Sequence, residues 1–386
     1  MNKSLKSHHT NGNKSIVLVV TSKQSASAFL TGFAQFCMVN GHDVTIIADG
    51  INPSKFPGDK GSVKQIPVKM ERNPSPFKDL VSLCKLTKVL RTLQPDILVY
   101  GTPKASLLSS VAGFVNRIPV RIYQLWGLRL ETTDGLKRSI LELLEKVTSN
   151  LSTKVLANSQ SLSDRYRELN LHSAKDIDLL GLGSSHGVDL EKYSKNAEVG
   201  LTDAATLKFM DSQLNGVVFG FVGRLHEDKG IATLLEAMRL VVKEVPNARL
   251  VLVGGDEGAS FSLNSDLENC VHLAGETSDP RPYYKLMDAL ILPSLREGFP
   301  NVVLEAAAME VPSIVSDGTG VIDSVIDGST GIIAPVGDAK QFSQAMMRIA
   351  RDQKFRDKLG KSARAHVEQN FAQELVWART LEYILE

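Results

Sequence analysis

Short apolar runs alternate with longer helical patterns along most of the chain, and this alternation constrains the fold more than any other feature. In the first half, Ile16–Val20, Val44–Ala48 and Asp96–Tyr100 are each followed by a stretch with helical periodicity. The pattern restarts at Val217–Val222 and continues almost to the end of the chain. Strands that alternate with helices predict parallel sheets built from βαβ units. We therefore predict an α/β protein made of two successive doubly wound units.

The length of 386 residues fits two domains, each large enough for a hydrophobic core of its own. A loop at 181–189 and a polar stretch at 191–214 are interpreted as the linker between them. We predict a disordered N-terminus over residues 1–13, a first domain over 14–195 and a second over 196–371. Ligands of open α/β sheets bind at the carboxyl ends of the strands, so the loops of both domains are expected to face a central cleft.

Cysteine use and hydropathy indicate a cytoplasmic protein. The three cysteines are far apart and show neither metal-ligand spacing nor a disulfide framework, which fits a reducing compartment. No run of 18 apolar residues appears, so no membrane-spanning segment is predicted. The first 13 residues are polar and lack the apolar core of a signal peptide.

Charge is unevenly distributed, although the net charge is only +1. Residues 1–195 carry 26 Lys and Arg against 16 Asp and Glu, whereas residues 196–386 carry 18 against 27. The basic half is expected to meet an anionic membrane surface or a lipid diphosphate, unless the charge is merely solvated. Nucleic acid is not expected as a partner, because no aromatic platform or reading module accompanies the basic excess. Leu107–Val115 either dips into a membrane interface or packs on the sheet.

The nine residues EGFPNVVLE (297–305) contain two carboxylates in contrasting surroundings. Glu297 lies in a Gly/Pro loop, and Pro300 suits the first position of a helix that carries Glu305 among apolar residues. A charge in so apolar a helix is costly unless something satisfies it, and ligand hydroxyl groups would do so. The pair is interpreted as a polar clamp for a sugar and a ribose. The alternative is a helix-dipole carboxylate at Glu297 and a solvated Glu305.

The segment FVGRLHEDKG (221–230) predicts an anion site at a strand-to-helix turn. A strand is predicted to end at Val222, Gly223 permits a tight turn, and a helix is predicted to begin near Asp228. Arg224 and Lys229 would then lie close to a helix N-terminus, where cations are unfavourable unless an anion accompanies them. A diphosphate would resolve the conflict. A surface lysine on the helix is the alternative.

Other chemistry is poorly represented in the sequence. It contains no G-x-S-x-G elbow, no phosphate-binding G-x-x-x-x-G-K-[ST] loop, no H-E-x-x-H, no Cys/His cluster and no D-x-D. We therefore predict no metal and no cofactor.

A second group of anion-binding N–H donors is expected at the helix start after Glu297, on Gly298, Phe299, Asn301 and Val302.

The second half resembles the donor domain of family 4 retaining glycosyltransferases, which have the GT-B fold. The matching segments are FVGRLHEDKG (221–230), LVGGDEG (252–258), LPSLREGFPNVVLEAAAMEVPSIVSD (292–317) and DGSTGIIAP (327–335). The first half matches the acceptor domain more weakly, at NGHDVTII (40–47), QPDILVYGTPKASL (94–107) and VLANSQSL (155–162).

The resemblance implies two Rossmann-like domains around a cleft, with the acceptor domain first, the donor domain second, and a last helix at about 372–386 that crosses back. It implies catalytic roles for Arg224, Lys229 and Glu297, in which the cations bind the donor diphosphate and Glu297 the sugar. The residues implied to contact the donor are Gly223, Arg224, Lys229, Gly275, Glu276, Glu297, Gly298, Phe299, Asn301, Val302 and Glu305.

One segment, RIYQLWGLRLET (121–132), departs from the family pattern. Many relatives have a His after the fourth strand that approaches the donor sugar, and here Trp126 occupies its place. Three interpretations stay open: the His is dispensable, Arg129 or Gln124 substitutes for it on the acceptor side, or Trp126 only packs the cleft wall. The segment is most similar to transferases of capsule and surface-polysaccharide assembly.

The resulting hypothesis is retaining transfer of a sugar from a nucleotide diphosphate donor to a saccharide linked to a polyprenyl diphosphate, at the inner membrane face. UDP and an N-acetylated hexosamine are the predicted base and sugar. Two alternatives are kept: a sugar-nucleotide 2-epimerase on the same fold, and a non-catalytic subunit that binds nucleotide sugars.

Overall fold

The computed structural model describes residues 12–53, 63–71, 73–171, 176–200, 203–211, 216–258 and 266–386. Most of the N-terminus that was predicted to be disordered, residues 1–11, lies outside the described residues. The described strands form two parallel sheets, one of seven and one of six strands, and helices alternate with the strands of both. This confirms the prediction of an α/β chain with two doubly wound units.

The first sheet has the strand order β3-β2-β1-β4-β5-β6-β7. Its strands are β1 (Ser15–Ser22), β2 (Asp43–Asp49), β3 (Lys64–Pro67), β4 (Ile97–Tyr100), β5 (Val120–Leu125), β6 (Lys154–Ala157) and β7 (Ile177–Leu179). Its helices are α1 (Lys23–Ser25), α2 (Thr31–Val39), α3 (Pro76–Leu93), α4 (Pro103–Val115), α5 (Gly135–Leu151) and α6 (Gln160–Glu168). A π-helical turn (Ala26–Leu30) precedes α2, and a 3-10 turn (Arg129–Thr132) precedes α5.

Helices cover both faces of this sheet, which explains why inner strands such as β1 and β4 are mainly apolar. Successive residues of β1 point to opposite faces: Ile16 and Leu18 enter one core, Val17 and Val19 the other. Helix α4 packs on the sheet with Leu108 and Ala112 buried. Of the two interpretations kept for Leu107–Val115, packing on the sheet therefore describes the centre of this helix.

The second sheet has the strand order β10-β9-β8-β11-β12-β13. Its strands are β8 (Val218–Val222), β9 (Arg249–Val253), β10 (Val271–Gly275), β11 (Ala289–Leu292), β12 (Ser313–Ser316) and β13 (Gly331–Ala334). The helices of this half are α7 (Ala204–Asp211), α8 (Ile231–Glu244), α9 (Arg281–Tyr284), α10 (Asn301–Ala308), α11 (Ala339–Arg351), α12 (Gln353–Asn370) and α13 (Gln373–Leu385). Two 3-10 turns occur at Glu227–Lys229 and Ile322–Ser324.

Three elements were not predicted from the sequence. Edge strand β3 reads Lys-Gln-Ile-Pro and is only partly buried, so it lacks the apolar pattern of the inner strands. Strand β13 follows a Gly/Ser turn and had no predicted secondary structure. The predicted linker 191–214 contains α7, where buried Thr206 bonds His272 of β10 at 2.9 Å between Oγ1 and Nε2. The predicted domain boundary at residue 195 stays a prediction.

The last helix leaves the second sheet and packs on the first, as predicted. Leu381 and Ile384 of α13 are buried in the core beside β1 and β2. The Tyr383 hydroxyl donates to Asp178 Oδ2 at 2.5 Å, and Lys154 Nζ donates to the Tyr383 carbonyl at 3.0 Å. These contacts tie the end of the chain to β6 and β7.

Candidate functional site

The two polar segments singled out in the sequence meet because their strands are neighbours. Strand β8 leads into Arg224 and Lys229, strand β11 leads into Glu297, and the strand order reverses between these two strands. The Leu295 N–H donates to the Asp228 carbonyl at 2.8 Å, which joins the two loops directly. Ligand sites of doubly wound sheets lie at such a reversal point.

Lys229 lies just before helix α8, not within its first turn as predicted. Residues Glu227–Lys229 form a 3-10 turn, and Gly230 then caps α8 with a φ of 68°. A Cβ atom on Gly230 would lie 2.1 Å from the Pro293 carbonyl oxygen. Glycine is therefore needed at 230 for both conformation and space, and the turn aims Lys229 toward the loop after β11.

Lys229 and Glu297 form an ion pair between Lys229 Nζ and Glu297 Oε1. Their side chains are only 15% and 17% exposed, and the Ser294 hydroxyl donates to the same Glu297 oxygen at 2.9 Å. Each charge offsets the desolvation of the other. The structure thus brings together two residues predicted separately, one for a phosphate and one for a sugar.

Arg224 lies at the rim of the same site. Its Nη1 atom is 2.5 Å from Glu257 Oε2, and both side chains are exposed. Gly223, which follows β8, donates its N–H to the Val253 carbonyl at 2.9 Å. Arg224 is therefore more loosely held than Lys229, since an exposed ion pair contributes little.

Glu305 lies on the inner side of α10 and is largely enclosed. The Tyr284 hydroxyl donates to Glu305 Oε2 at 2.8 Å, and the Tyr193 hydroxyl is a second polar group near the carboxylate. Burial raises the pKa of Glu305, whereas these two hydroxyls lower it. The sequence suggested ligand hydroxyls as groups that would satisfy this charge, and the Tyr284 hydroxyl is one such group within the protein. Neither tyrosine was predicted from the sequence.

Helix α10 begins at Asn301, one residue later than the predicted start at Pro300, and its N-cap makes no side-chain hydrogen bond. Phe299 is buried with its ring 5.3 Å from that of Phe371, so only its backbone faces the loop. Val302 packs against the core of this half. The predicted N–H donors thus lie at a helix start, where the helix dipole favours an anion.

A loop of the first half lies directly against this helix start. A Cβ atom on Gly298 would lie 2.4 Å from the Trp126 carbonyl oxygen, so only glycine allows this approach. The Trp126 ring lies over Gly101 and 4.9 Å from the Phe29 ring, and its indole nitrogen is buried with no partner among the described residues. Trp126 therefore forms part of the cleft wall.

The other acceptor-side residues take different positions. Arg129 is exposed in the 3-10 turn before α5. Burial lowers the pKa of Arg296 across the cleft, and the positive charge of Arg129 lowers it further. Gln124 is buried at the end of β5. Gly275 and Glu276 are exposed at the end of β10, away from the ion pair of Lys229.

Further contacts join the two halves around the site. Arg296 Nε donates to Thr132 Oγ1 at 3.0 Å, and the Gly320 N–H donates to Ser161 Oγ at 2.7 Å. Asn301 Nδ2 lies 3.1 Å from the ring nitrogens of His186, and burial lowers the pKa of His186 to about 4. The imidazole is thus neutral at physiological pH. Among the described residues, no cluster of three His, Cys, Asp or Glu has the arrangement of a metal site.

Family models match both halves of the chain. Residues 216–352 match the model described as "Glycosyl transferases group 1", and residues 29–183 match the "Glycosyl transferase 4-like domain". The capsular polysaccharide biosynthesis glycosyltransferase CapM of Staphylococcus aureus is 33% identical over 371 residues, which are 95% of each chain. The UDP-Gal:alpha-D-GlcNAc-diphosphoundecaprenol alpha-1,3-galactosyltransferase of Escherichia coli is 27% identical over 73% of each chain.

Solved structures agree on the fold. HepE of Anabaena, in complex with UDP and glucose, superposes with a TM-score of 0.75 over 97% of this chain and 100% of its own, at 18% identity. Sucrose-phosphate synthase from Thermosynechococcus elongatus superposes with a TM-score of 0.76 over 96% of this chain and 98% of its own, at 19% identity. Together with the site geometry and the matches along both halves, these likenesses establish that the chain is a glycosyltransferase of family 4 with the GT-B fold.

Proposed function

We propose that this glycosyltransferase moves a sugar from a nucleoside diphosphate donor, with retention of configuration, to a saccharide carried on a lipid diphosphate during surface-polysaccharide assembly. The observation that carries the proposal is the meeting of Lys229 with Glu297 beside the start of α10. A cation, a carboxylate and free helix N–H groups at one reversal point are what a sugar diphosphate requires.

In this proposal the donor lies across the ends of β8 and β11. Lys229 and Arg224 take the diphosphate, which replaces Glu297 and Glu257 as their partners. Glu297, released from Lys229, accepts hydrogen bonds from sugar hydroxyls, and Glu305 accepts them from the ribose. The base lies toward Gly275 and Glu276 at the end of β10. Positive charge at the diphosphate comes from side chains and from the dipole of α10.

The transfer breaks the bond between the anomeric carbon and the diphosphate oxygen, and forms one to the acceptor oxygen on the same face. The acceptor proton passes to the departing diphosphate oxygen, and the nucleoside diphosphate leaves. Negative charge grows on that oxygen in the transition state, so preorganised cations lower the barrier. Lys229 and Arg224 are the groups that supply this stabilisation.

The names of relatives support UDP, a hexosamine-containing glycan and a lipid diphosphate. The Escherichia coli relative is named for UDP-Gal and a diphosphoundecaprenol acceptor. A Campylobacter jejuni relative, 27% identical over 75% of this chain, is an N-acetylgalactosaminyltransferase that acts on a diphospho-undecaprenol. We propose UDP as the donor nucleotide and an N-acetylated hexosamine as the sugar on this basis.

Exposed apolar side chains support contact with a membrane near the cleft. Leu136, Ile140 and Leu143 are 78%, 48% and 61% exposed and follow one face of α5. Phe77 and Leu80 are exposed in the first turns of α3. No described helix is long and apolar enough to cross a bilayer. The first turns of α3 and α5 follow strand ends, so both stripes begin at the end of the sheet that faces the cleft.

The charge of the same helices favours anionic lipid. Lys78, Lys85 and Lys88 of α3 and Lys137 and Lys146 of α5 are exposed. A basic residue near an anionic bilayer contributes about 1 kcal/mol, and apolar side chains beside it enter the interface. A membrane on this face would hold a lipid-linked acceptor at the entrance of the cleft.

Flotation with lipid vesicles tests the membrane surface. The double variant Ile140→Ser/Leu143→Ser should float less with vesicles that contain phosphatidylglycerol, whereas Ile326→Ser, an exposed apolar site of the second half, should not. Equal flotation of both variants, or equal binding to purely zwitterionic vesicles, would contradict this part of the proposal.

A thermal-shift screen with UDP-, GDP- and dTDP-sugars tests the donor, because a bound donor stabilises the protein by RT ln(1 + [L]/Kd). The donor with the largest shift is then incubated with a diphospho-undecaprenol saccharide, and NMR gives the anomeric configuration of the product. An inverted product would contradict retention. An epimer formed without acceptor, or binding without transfer, would favour the alternative activities.

A further inference from the structure

Two tyrosine hydroxyls hold the carboxylate of Glu305 from the protein side. We propose that Tyr284 and Tyr193 are positioning residues that leave one oxygen of Glu305 directed at the donor ribose, and that they thereby set the preference for ribose hydroxyls. This inference rests on the proposed function, since it assigns a role within the same donor site.

The geometry of Tyr284 fixes the direction of its hydroxyl. Tyr284 ends the short helix α9 and is fully buried in the core of the second half. Its N–H donates to the Pro280 carbonyl at 3.1 Å, and its hydroxyl donates to Glu305 Oε2 at 2.8 Å. A tyrosine has only two side-chain torsions, and packing fixes both, so the bond holds Glu305 in one orientation.

Tyr193 brings the second hydroxyl from a different part of the chain. It is buried, its ring meets the Tyr284 ring edge to face at 6.4 Å between ring centroids, and its hydroxyl lowers the pKa of the nearby Glu305 carboxylate. Arg281 of α9 donates to the Lys192 carbonyl at 3.3 Å and so ties this segment to the second half. The surroundings of Glu305 are therefore built jointly by α9, α10 and the segment before residue 195.

The Glu305 carboxylate can accept hydrogen bonds from a ligand in addition to the one from Tyr284. An ionised carboxylate has about four acceptor positions, and the hydrogen bond of known geometry falls on Oε2 alone. Glu305 also keeps partial exposure. We infer that its second oxygen is the acceptor that a ligand reaches. A site built to bind a hydroxyl rejects an analogue that lacks it, because the acceptor is then left unpaired in a dry environment.

The tyrosine hydroxyls oppose the effect of burial on the pKa of Glu305. Burial raises its pKa, while Tyr284, Tyr193 and the charge of Lys192 lower it, and the nearby Asp279 raises it again. Loss of a tyrosine hydroxyl therefore raises the pKa of Glu305. Protonation of Glu305 removes acceptor capacity, so the affinity for a ribose should fall as the pH decreases through the pKa of Glu305. In a variant that lacks a tyrosine hydroxyl, this fall should occur at a higher pH than in the wild type.

Binding of UDP, 2′-deoxy-UDP and 3′-deoxy-UDP to the full-length protein tests the inference, measured by calorimetry between about pH 5 and pH 8. We expect the wild type to prefer UDP over at least one deoxy analogue. Tyr284→Phe should lose about tenfold in UDP affinity and most of that preference. As the pH is lowered, the UDP affinity of this variant should begin to decline at a higher pH than that of the wild type. Tyr193→Phe should act in the same direction and serves as a second variant should Tyr284→Phe not fold.

Tyr283→Phe is the matched control, because Tyr283 is the preceding residue of α9 and its hydroxyl bonds Thr206, not Glu305. If Tyr284→Phe and Tyr193→Phe match Tyr283→Phe in affinity, preference and pH profile, the inference is overturned while the donor site stands. If Glu305→Gln binds all three nucleotides like the wild type, or the wild type binds no nucleoside diphosphate, the proposed function fails as well.

Discussion

Lys229→Met removes the cation that we place at the donor diphosphate, and its effect on the unliganded protein follows from the structure. The variant leaves the Glu297 carboxylate in a partly buried position with the Ser294 hydroxyl as its remaining donor of known geometry. Donor binding and folding stability should therefore both suffer, for separate reasons. Methionine keeps most of the aliphatic length of lysine, so the loss is mainly one of charge.

The size of the stability loss can be bounded. Breaking a buried ion pair by removing one partner costs about 3–5 kcal/mol. Because the two side chains keep 15% and 17% exposure and Ser294 still donates to Glu297, we expect about 2 kcal/mol for Lys229→Met. For a unit of this size, that lowers the Tm by roughly 4–8 °C. Loss of one anion-stabilising group should reduce the transfer rate about 10²–10³-fold.

Urea unfolding of Lys229→Met, Glu297→Gln and the double variant measures the coupling. The double variant should be more stable than the sum of the single effects predicts, by at least about 1 kcal/mol. Lys243→Met, at an exposed lysine of α8, is the control and should change little. Additive single effects, within about 0.5 kcal/mol, would refute the ion pair. A normal transfer rate in Lys229→Met would refute its role at the diphosphate.

Three further predictions concern neighbouring features. Burial raises the pKa of Glu145 to about 7 from 4.5. The folded state is therefore favoured while Glu145 is protonated, and the free energy of unfolding should fall by on the order of 3 kcal/mol as pH rises through that range. Glu145→Gln should flatten the pH dependence of urea unfolding, and an unchanged slope would contradict this. Glu257→Gln should leave transfer within about threefold of the wild type, because the ion pair of Arg224 is exposed, and a larger loss in steady-state kinetics would argue against it. Gly298→Ala should lower the free energy of unfolding in urea by about 1–3 kcal/mol, and should slow transfer because it displaces a loop of the cleft. Gly200→Ala is the control and should change neither quantity, because a Cβ atom there meets no neighbour within 4 Å.

The sequence predicted the inner strands well and the edges poorly, for physical reasons. Strands such as β1 and β8 are covered on both faces, so the centre of β1 and nearly all of β8 are apolar and the runs are easily recognised. Edge strand β3 has polar residues and a proline, because little covers it. Helix α7 went unpredicted since it lies within a polar stretch, and its buried Thr206 bonds a distant histidine.

The site was predicted in its parts and not in its connections. Lys229 and Glu297 stand out in the sequence because charges occur at strand-to-helix turns, where ligands bind. Their direct contact follows from the adjacency of β8 and β11, which no local pattern indicates. The tyrosines around Glu305 are 21 and 112 residues away from it, and nothing in their own surroundings signals a partner.

The most direct test of the account is a transfer assay with radiolabelled UDP-N-acetylhexosamine and a diphospho-undecaprenol saccharide, run in parallel with wild type, Lys229→Met and Glu305→Gln. We expect a lipid-linked product with retained anomeric configuration, and a rate at least about 10²-fold lower in Lys229→Met. Glu305→Gln should raise the KM for the donor. Equal rates in the three proteins would contradict the site, and no product with any nucleotide sugar and lipid-linked acceptor would contradict the proposed reaction.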